Sequence, residues 1–379
     1  MSASKKTDAI VTGRGTEKAL PEHTRQVNRS LILRTLFRSD PMSRADLARA
    51  TGLTRVSVSR IVDDLAAEGL VRESGPSPEG RVGKPSTLIA LNPDSYHVVS
   101  LDLSAYAELT GAIMNLDGAV VHSVSVPTDG ARGTALLQKV CALASALVKR
   151  STVRVLGVGV GSPGVVNTEG VVREAVAFDW HDLDVAAAIS AVVPAPVHVA
   201  NDANAAALAA RTYGQPGVDH LALVRIGQGI GSGVIVGGAL VTGDRFTAGE
   251  IGHVLVDEGG EVCRCGRRGC LEVVAAVPYL RQRLADSPAS GDEVLTRAGR
   301  ALGRVLTPVV AALGLEQVVL SGPLDIVGGV FLEQTRAAIE HEALAIVTDD
   351  FEIRVAVRGD DIVLLGGTAL VVAEELGIR

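Results

Sequence analysis

In the N-terminal quarter of the chain, apolar positions recur at helical spacing and then give way to short strand-like runs. Val27, Leu31, Ile32 and Leu36 fall on one face and predict a helix over 27–38. Ser43 and Asp46 form a Ser-x-x-Asp pattern, the signature of a capping box, and open a second predicted helix that runs to residue 50. Thr51-Gly52-Leu53 reads as a turn, and Thr54 caps a third helix to residue 68, closed by Gly69. On that helix Val58, Ile61, Val62 and Leu65 share the face to be buried, and at about 100° per residue Val56, Ser59 and Arg60 lie opposite. Strands expected at 70–73 and 86–91 flank a loop rich in Ser, Gly and Pro. Helix, helix, glycine turn, helix and hairpin in succession is the plan of a winged helix-turn-helix.

Past residue 96 the texture changes. Strands are expected at 97–103, 111–114 and 119–126, a helix at 133–150 and a strand at 153–160. A strand at 196–200 leads into a helix from 203, a hairpin joins 221–226 to 233–236, and a late strand at 317–320 precedes a last helix at 366–376. Strands followed by crossover helices, twice over, predict an α/β fold in two lobes. The expected division is a polar arm at 1–22, a winged helix-turn-helix at 23–92 and the two-lobed body at 93–379. No run of about 18 apolar residues escapes charge, so no membrane span is expected. Lys5, Lys6, Arg14 and Lys18 stand without an adjoining apolar stretch, so no signal peptide is expected either. A cytoplasmic location follows.

Charge sharpens the picture of the head. The whole chain carries −7, but residues 1–92 hold 15 Lys and Arg against 10 Asp and Glu, leaving an acidic body behind a basic head. That asymmetry points only the head at a polyanion. Arg60 would address guanine, Val56 a thymine methyl and Ser59 a base or phosphate. Thr54 and Arg55 at the helix start, with Arg44 and Arg49 on the second helix, would hold the phosphate backbone. Arg81 and Lys84, set among glycines in the wing, suit a minor groove. A protein-binding winged helix is the competing reading, and the basic charge, capped third helix and wing together favour double-stranded DNA.

Of four cysteines, three lie within eight positions: Cys263, Cys265 and Cys270 follow His253 closely. One imidazole and three thiolates complete a tetrahedral set with no open position, which is a structural Zn2+ site and not a hydrolytic one. Cys141 sits in an Ala-rich helix and reads as a small core residue.

Gly249-Glu250-Ile251-Gly252-His253, with Cys263-x-Cys265-Gly266-x-x-Gly269-Cys270-Leu271-Glu272, resembles the signature of the ROK family (repressors, open reading frames and kinases). Gly161-Ser162-Pro163-Gly164, Asn201-Asp202-Ala203-Asn204 and Gly227-x-Gly229-x-Gly231-x-Gly233 are similar to other segments of that family. The resemblance covers about residues 95–379. The fused head points to the repressor branch, which includes xylose and N-acetylglucosamine repressors. It implies an actin-like, ribonuclease-H-like double lobe with a sugar effector in the cleft, contacted by Asn201, Asp202, Glu250, His253 and Glu272. It also implies a homodimer or homotetramer on an inverted-repeat operator. Two departures matter. The family's kinases carry Asp-x-Gly-Gly-Thr where this chain has Asp102-Leu103-Ser104-Ala105-Tyr106, so side chains fill the space where backbone must approach ATP phosphates. Kinase activity is therefore not expected, and Asp202 is left as a vestigial base. Ala177 stands where the family often has an Asn that contacts sugar, so the ligand is an unusual sugar, a phosphorylated one, or absent. The alternatives to a sugar-controlled repressor are an ATP-dependent sugar kinase and a repressor controlled by a protein partner.

Overall fold

The computed structural model describes residues 21–76, 86–359 and 361–378. In the head, α1 (Pro21–Phe37), β1 (Met42–Ser43), α2 (Arg44–Thr51) and α3 (Arg55–Ala67) precede the hairpin of β2 (Val71–Pro76) and β3 (Thr87–Leu91). Both caps form: the Ser43 hydroxyl accepts from Asp46 N at 3.2 Å, and Thr54 accepts from Ser57 N at 3.2 Å. Gly52, at φ 70°, ends α2 in the left-handed region that turn requires. α1 starts six residues earlier than its apolar spacing indicates, since a polar first turn carries no periodic signal and Pro21 suits a first helical position. Arg25 pairs with Asp64 and Arg29 with Glu68, tying α1 to α3.

The body holds two five-stranded sheets of the same plan. In the first, β4 (His97–Asp102), β5 (Glu108–Asn115) and β6 (Val120–Pro127) form an antiparallel meander. After α4 (Gly133–Arg150), β7 (Val155–Ser162) joins β4 in parallel. A small sheet of β8 (Val165–Val166), β9 (Val171–Ala175) and β10 (Trp180–Asp184) and then α5 (Val185–Ser190) intervene before β11 (Val197–Asn201) pairs parallel to β7. α6 (Asp202–Thr212) closes this lobe.

The second lobe repeats the order with the meander β12 (Leu221–Ile226), β13 (Ile230–Val236) and β14 (Ala239–Val241). α7 (Leu271–Ala275), α8 (Val277–Asp286) and α9 (Gly291–Leu313) lead to β15 (Gln317–Ser321), parallel to β12. α10 (Leu324–Val327), α11 (Gly329–Glu342) and α12 (Ala345–Thr348) lead to β16 (Glu352–Val355), and α13 (Ile362–Leu376) ends the chain. Among the described residues no helix is long and apolar enough to cross a membrane.

α6 and α13 exchange partners. α6 packs on β12 and β13 of the second lobe, α13 packs on β4 and β7 of the first, and the two helices lie against each other. Glycine permits this closeness: a Cβ on Gly159 would overlap the Gly367 carbonyl, and one on Gly366 the Ala205 carbonyl. α13 is buried nearly all round, and its far end enters the head. Val371, Val372, Leu376 and Ile378 share one apolar core with Ile32, Leu33, Leu47, Val62 and Leu65. Phe37 at the end of α1 stacks on Tyr213 at the end of α6, ring centroids 5.7 Å apart. The expected division at residue 93 falls on the turn Pro93–Ser95, but the apolar core runs across it.

Candidate ligand cleft and metal centre

Between the lobes lies a cavity of about 240 Å³. It is lined by Asn201, Asp202, Glu250, His253 and Glu272, so the structure brings together all the residues expected at a sugar. Asn201 ends β11 and caps α6: its Oδ1 accepts from Ala203 N and Asn204 N, and its Nδ2 donates to the Gly164 carbonyl at 2.9 Å. Its amide oxygen is thus already used, and one N–H remains for a ligand. Gly164, at φ 88°, makes that approach possible, because a Cβ there would overlap the Glu174 carbonyl. Glu272, at the start of α7, is 5% exposed and reaches past Gly229, whose missing side chain leaves room for its carboxylate.

Asp202 is half-buried, and its Oδ1 accepts from Ala203 N at 2.9 Å. Its Oδ2 accepts from Arg225 Nη1 at 2.8 Å. Burial pushes its carboxyl up from the usual aspartate range more strongly than Arg225 draws it down. Arg225 Nη2 also donates to Ser104 Oγ at 2.6 Å, so this β12 side chain bridges both lobes. Arg264 makes a second bridge: it donates to Tyr106 Oη at 3.1 Å and to the Gln228 carbonyl at 3.0 Å, and its Nε lies 3.4 Å from Glu272. Although Arg264 lies between two cysteines of the cluster in the chain, its side chain turns into the cleft. Ser104 and Tyr106 each hold one of these arginines. The reading by motif passed over Arg225, although a lone arginine in the otherwise apolar strand Leu221–Ile226 was a visible signal. Trp180 lies elsewhere, 1% exposed in the first-lobe core with its indole donating to the Gly133 carbonyl. Ala177 does line the cavity.

His253, Cys263, Cys265 and Cys270 gather with their ligand atoms within 4.8 Å of one another. With metal–sulfur bonds near 2.3 Å and metal–nitrogen bonds near 2.05 Å, a tetrahedron has edges of about 3.8 Å between sulfurs and about 3.6 Å from sulfur to nitrogen. The observed separations are 3.7 Å for Cys265 to Cys270 and 3.6 Å for Cys263 to His253 Nδ1. The donor set therefore fits a tetrahedral ion. Gly266 and Gly269, at φ 87° and 70°, shape the loop that converges the thiols. His253 presents Nδ1 to the cluster and Nε2 toward Glu250, 4.0 Å away, so cluster and cleft share this ring. Cys141 is partly buried against the first-lobe core.

On the head, Val56 is 80% exposed, and Arg55 and Arg60 are exposed beside it. Ser59 is half-buried, so it projects less than its place on the helical wheel implies. Thr54 is exposed at the cap. Arg44 pairs with Asp63 at 2.9 Å and Arg49 with Asp46. Exposed pairs of this kind contribute little, about 0–1 kcal/mol, and exchange readily for other anions. Arg81 and Lys84 lie outside the described residues.

A family model described as the ROK family matches residues 106–374, and one described as the MarR family matches residues 24–81. The chain is 26% identical to the xylose repressor of Caldicellulosiruptor bescii, over 93% of this chain and 97% of that protein. It is 29% identical to a glucokinase of Halalkalibacterium halodurans, over 70% of this chain and 92% of that protein. Its fold matches the crystal structure of a ROK family transcriptional regulator described as a homolog of the E. coli MLC protein, with a TM-score of 0.81 at 22% identity, covering 94% of this chain and 98% of that one. The doubled sheet, the cleft between its lobes and the matched span agree: this chain belongs to the ROK family and carries a winged-helix head in front of its ROK region.

Proposed function

We propose that this protein is a sequence-specific transcriptional repressor of carbohydrate-related genes, controlled by a sugar or sugar derivative in the interlobe cleft. The observation that carries the reading is the continuity between cleft and head. α6 begins at Asn201 and Asp202 in the cleft and ends at Tyr213 against Phe37 of the head. α13 lies along α6 and finishes inside the head's apolar core. A ligand that shifts the lobes must therefore move the base of α3 or strain that core, which is the differential contact that ligand control needs. The relatives named repressors support DNA as the partner, and the outward Val56 and Arg60 support α3 as the reading element. A homodimer would set two such helices on the halves of an inverted repeat, in the cytoplasm.

The cluster of His253, Cys263, Cys265 and Cys270 would hold a structural Zn2+, which when bound cross-links the loop that carries Arg264. The chain's own residues do the rest: Glu250, Glu272 and Asp202 would accept from sugar hydroxyls, and His253 would orient beside them. The test is selection of bound fragments from chromosomal DNA by purified protein, followed by titration with a sugar panel. Enrichment of discrete sites that one sugar releases supports the reading; no preference over random duplex defeats it. Arg60→Ala is expected to cost about 1–3 kcal/mol on the selected site and to relax discrimination at one base position. Equal discrimination by both proteins would show that α3 is not the reader.

The kinase reading draws on the glucokinase relative, but two features oppose it. Asp202 gives one carboxylate oxygen to Arg225, and Ser104 and Tyr106 occupy the turn where phosphates need bare backbone. Incubated with Mg-ATP and the same sugar panel, the protein is expected to release no ADP above background, read by a coupled assay. Sugar-dependent turnover would reverse this assignment.

A further inference from the structure

Two arginines of the second lobe cross the cleft to hydroxyls of the first. Arg225 Nη2 donates to Ser104 Oγ at 2.6 Å, and Arg264 Nη1 donates to Tyr106 Oη at 3.1 Å. The Arg264 guanidinium also lies over the Tyr106 ring, 5.5 Å from its centroid, where the ring quadrupole attracts a cation. Both hydroxyls are held by their own lobe. Ser104, in the turn after β4, is 3% exposed, and its backbone N–H donates to Asp102 Oδ1 at 2.8 Å. Tyr106 packs edge-on against Phe178 at 5.9 Å, and Phe178 against Trp180 at 5.0 Å, all three on the first-lobe core. On the other side, Arg225 stands in β12, which is paired along both edges, and Arg264 in the loop between two cysteines of the cluster. The two bonds therefore join the bodies of the lobes.

The same arginines also hold two of the carboxylates that line the cavity. Arg225 Nη1 donates to Asp202 Oδ2 at 2.8 Å, and Arg264 Nε lies 3.4 Å from Glu272 Oε1. Each carboxylate has its second oxygen engaged as well: Asp202 Oδ1 accepts from Ala203 N at 2.9 Å, and Glu272 Oε2 from Ile230 N at 3.4 Å. A hydroxyl that donates to either carboxylate contends with bonds already made. A guanidinium is a planar, rigid fork, so an arginine that gives up its carboxylate or turns to follow it does not keep its other bond in place. Contact at Asp202 or Glu272 is in this way felt at Ser104 or Tyr106 across the cleft. The Arg264 half is the looser, its carboxylate contact being 3.4 Å against 2.8 Å for Arg225.

We infer that Ser104 and Tyr106 are positioning residues: with Arg225 and Arg264 they form a clasp that holds the lobes in this arrangement, and a ligand acts by drawing Asp202 and Glu272 off the two arginines and loosening it. This rests on the reading of the cleft as the effector site. A ligand that loosens the clasp works against the bonds that make it, so their strength sets part of its affinity. Removing one of those bonds lifts the opposition, and ligand affinity rises. Residues that merely supported the site would do the reverse. α6, which begins at Asp202 and ends against Phe37, carries the loosening to the head.

The test compares the full-length wild type with Tyr106→Phe, Ser104→Ala and the double variant. Tyr106→Phe removes the hydroxyl and keeps the ring that packs on Phe178. Each protein is titrated in a calorimeter with xylose, glucose, mannose and N-acetylglucosamine. A sugar that the wild type binds is expected to bind each single variant about three- to tenfold more tightly, the scale of one net hydrogen bond, and the double variant more tightly still. Backbone hydrogen exchange without sugar is the second readout. In Tyr106→Phe, exchange should quicken across the cleft, at residues 228–231 and 263–266, as well as around residue 106, because Arg264 also holds the Gln228 carbonyl. Exchange that quickens in the first lobe alone, or affinities that fall or stay level in both single variants, overturns the inference while leaving a sugar sensor standing. Binding of no sugar by any of the four proteins defeats the effector-site reading itself, and the inference with it.

Discussion

Cys263→Ser is expected to abolish metal binding at the His/Cys cluster, if zinc fills it as proposed, and to destabilise the second lobe by about 4–5 kcal/mol, among the largest single-residue effects in this protein. Cys263 is 1% exposed, with its sulfur 3.6 Å from His253 Nδ1 and 3.5 Å from Glu272 Oε1. Serine keeps the shape but not the soft thiolate that a tetrahedral zinc site needs. Loss of the ion would free the turn that carries Arg264 and Cys265, and with it the bridges to Tyr106 and the Gln228 carbonyl. The effect should therefore reach the cleft as well as the melting temperature. Metal analysis of fresh protein, thermal unfolding and ligand titration would be run together on both proteins. A chelator added to the wild-type protein should reproduce the variant's loss of stability. Wild-type protein purified without any metal, or a variant that melts with the wild type, would remove the structural zinc from the account.

Gly159→Ala should be almost as damaging, for a different reason. Gly159 lies in β7, the strand next to the centre of the first sheet, and faces Gly367 of α13. The added methyl would overlap the carbonyl oxygen, carbonyl carbon and Cα of Gly367, all of them backbone. No rotamer change relieves that; the sheet and the helix must separate. Overpacking of this kind typically costs about 1–3 kcal/mol and occasionally more, and the backbone partner places this position at the upper end. Gly359→Ala serves as the control, since a Cβ there meets its neighbours at 3.6 and 3.8 Å, ordinary contact distances. Because α13 ends in the head's core, the Gly159 variant should also bind its operator more weakly, read by chemical denaturation and by DNA titration. Wild-type stability in Gly159→Ala would falsify the close docking of α13 on the first sheet.

The head was the most legible part of the chain. Its caps are made by residues three positions apart, Ser43 with Asp46 and Thr54 with Ser57, and such contacts need nothing from the rest of the molecule. The gathering of His253 and the three cysteines was legible for a similar reason, since the cysteines fall in one tight loop and the histidine is near in the chain. The long helix α9 was harder to see. It contains Gly299, Gly303 and Pro308, which read as breakers. In the fold the two glycines let α11 approach, a Cβ at either meeting the backbone of Phe331 or Thr335. Residues that look like interruptions are there a condition of packing.

Periodicity, caps and cysteine spacing are short-range, and they were enough to set the order of elements, the two-lobed class, the buried face of α3 and the gathering of His253 with the three cysteines. The pairing of Arg225 with Asp202 and Ser104, and of Arg264 with Tyr106, joins residues 23, 121 and 158 positions apart. So does the exchange of α6 and α13 between lobes, and the entry of the last helix into the core of the head. A lone arginine in an apolar strand marks Arg225, but nothing local names its partners or tells one apolar helix from another. Only closing the two sheets on one another brings them within reach, and that closure decides what the cleft recognises and how the head is told.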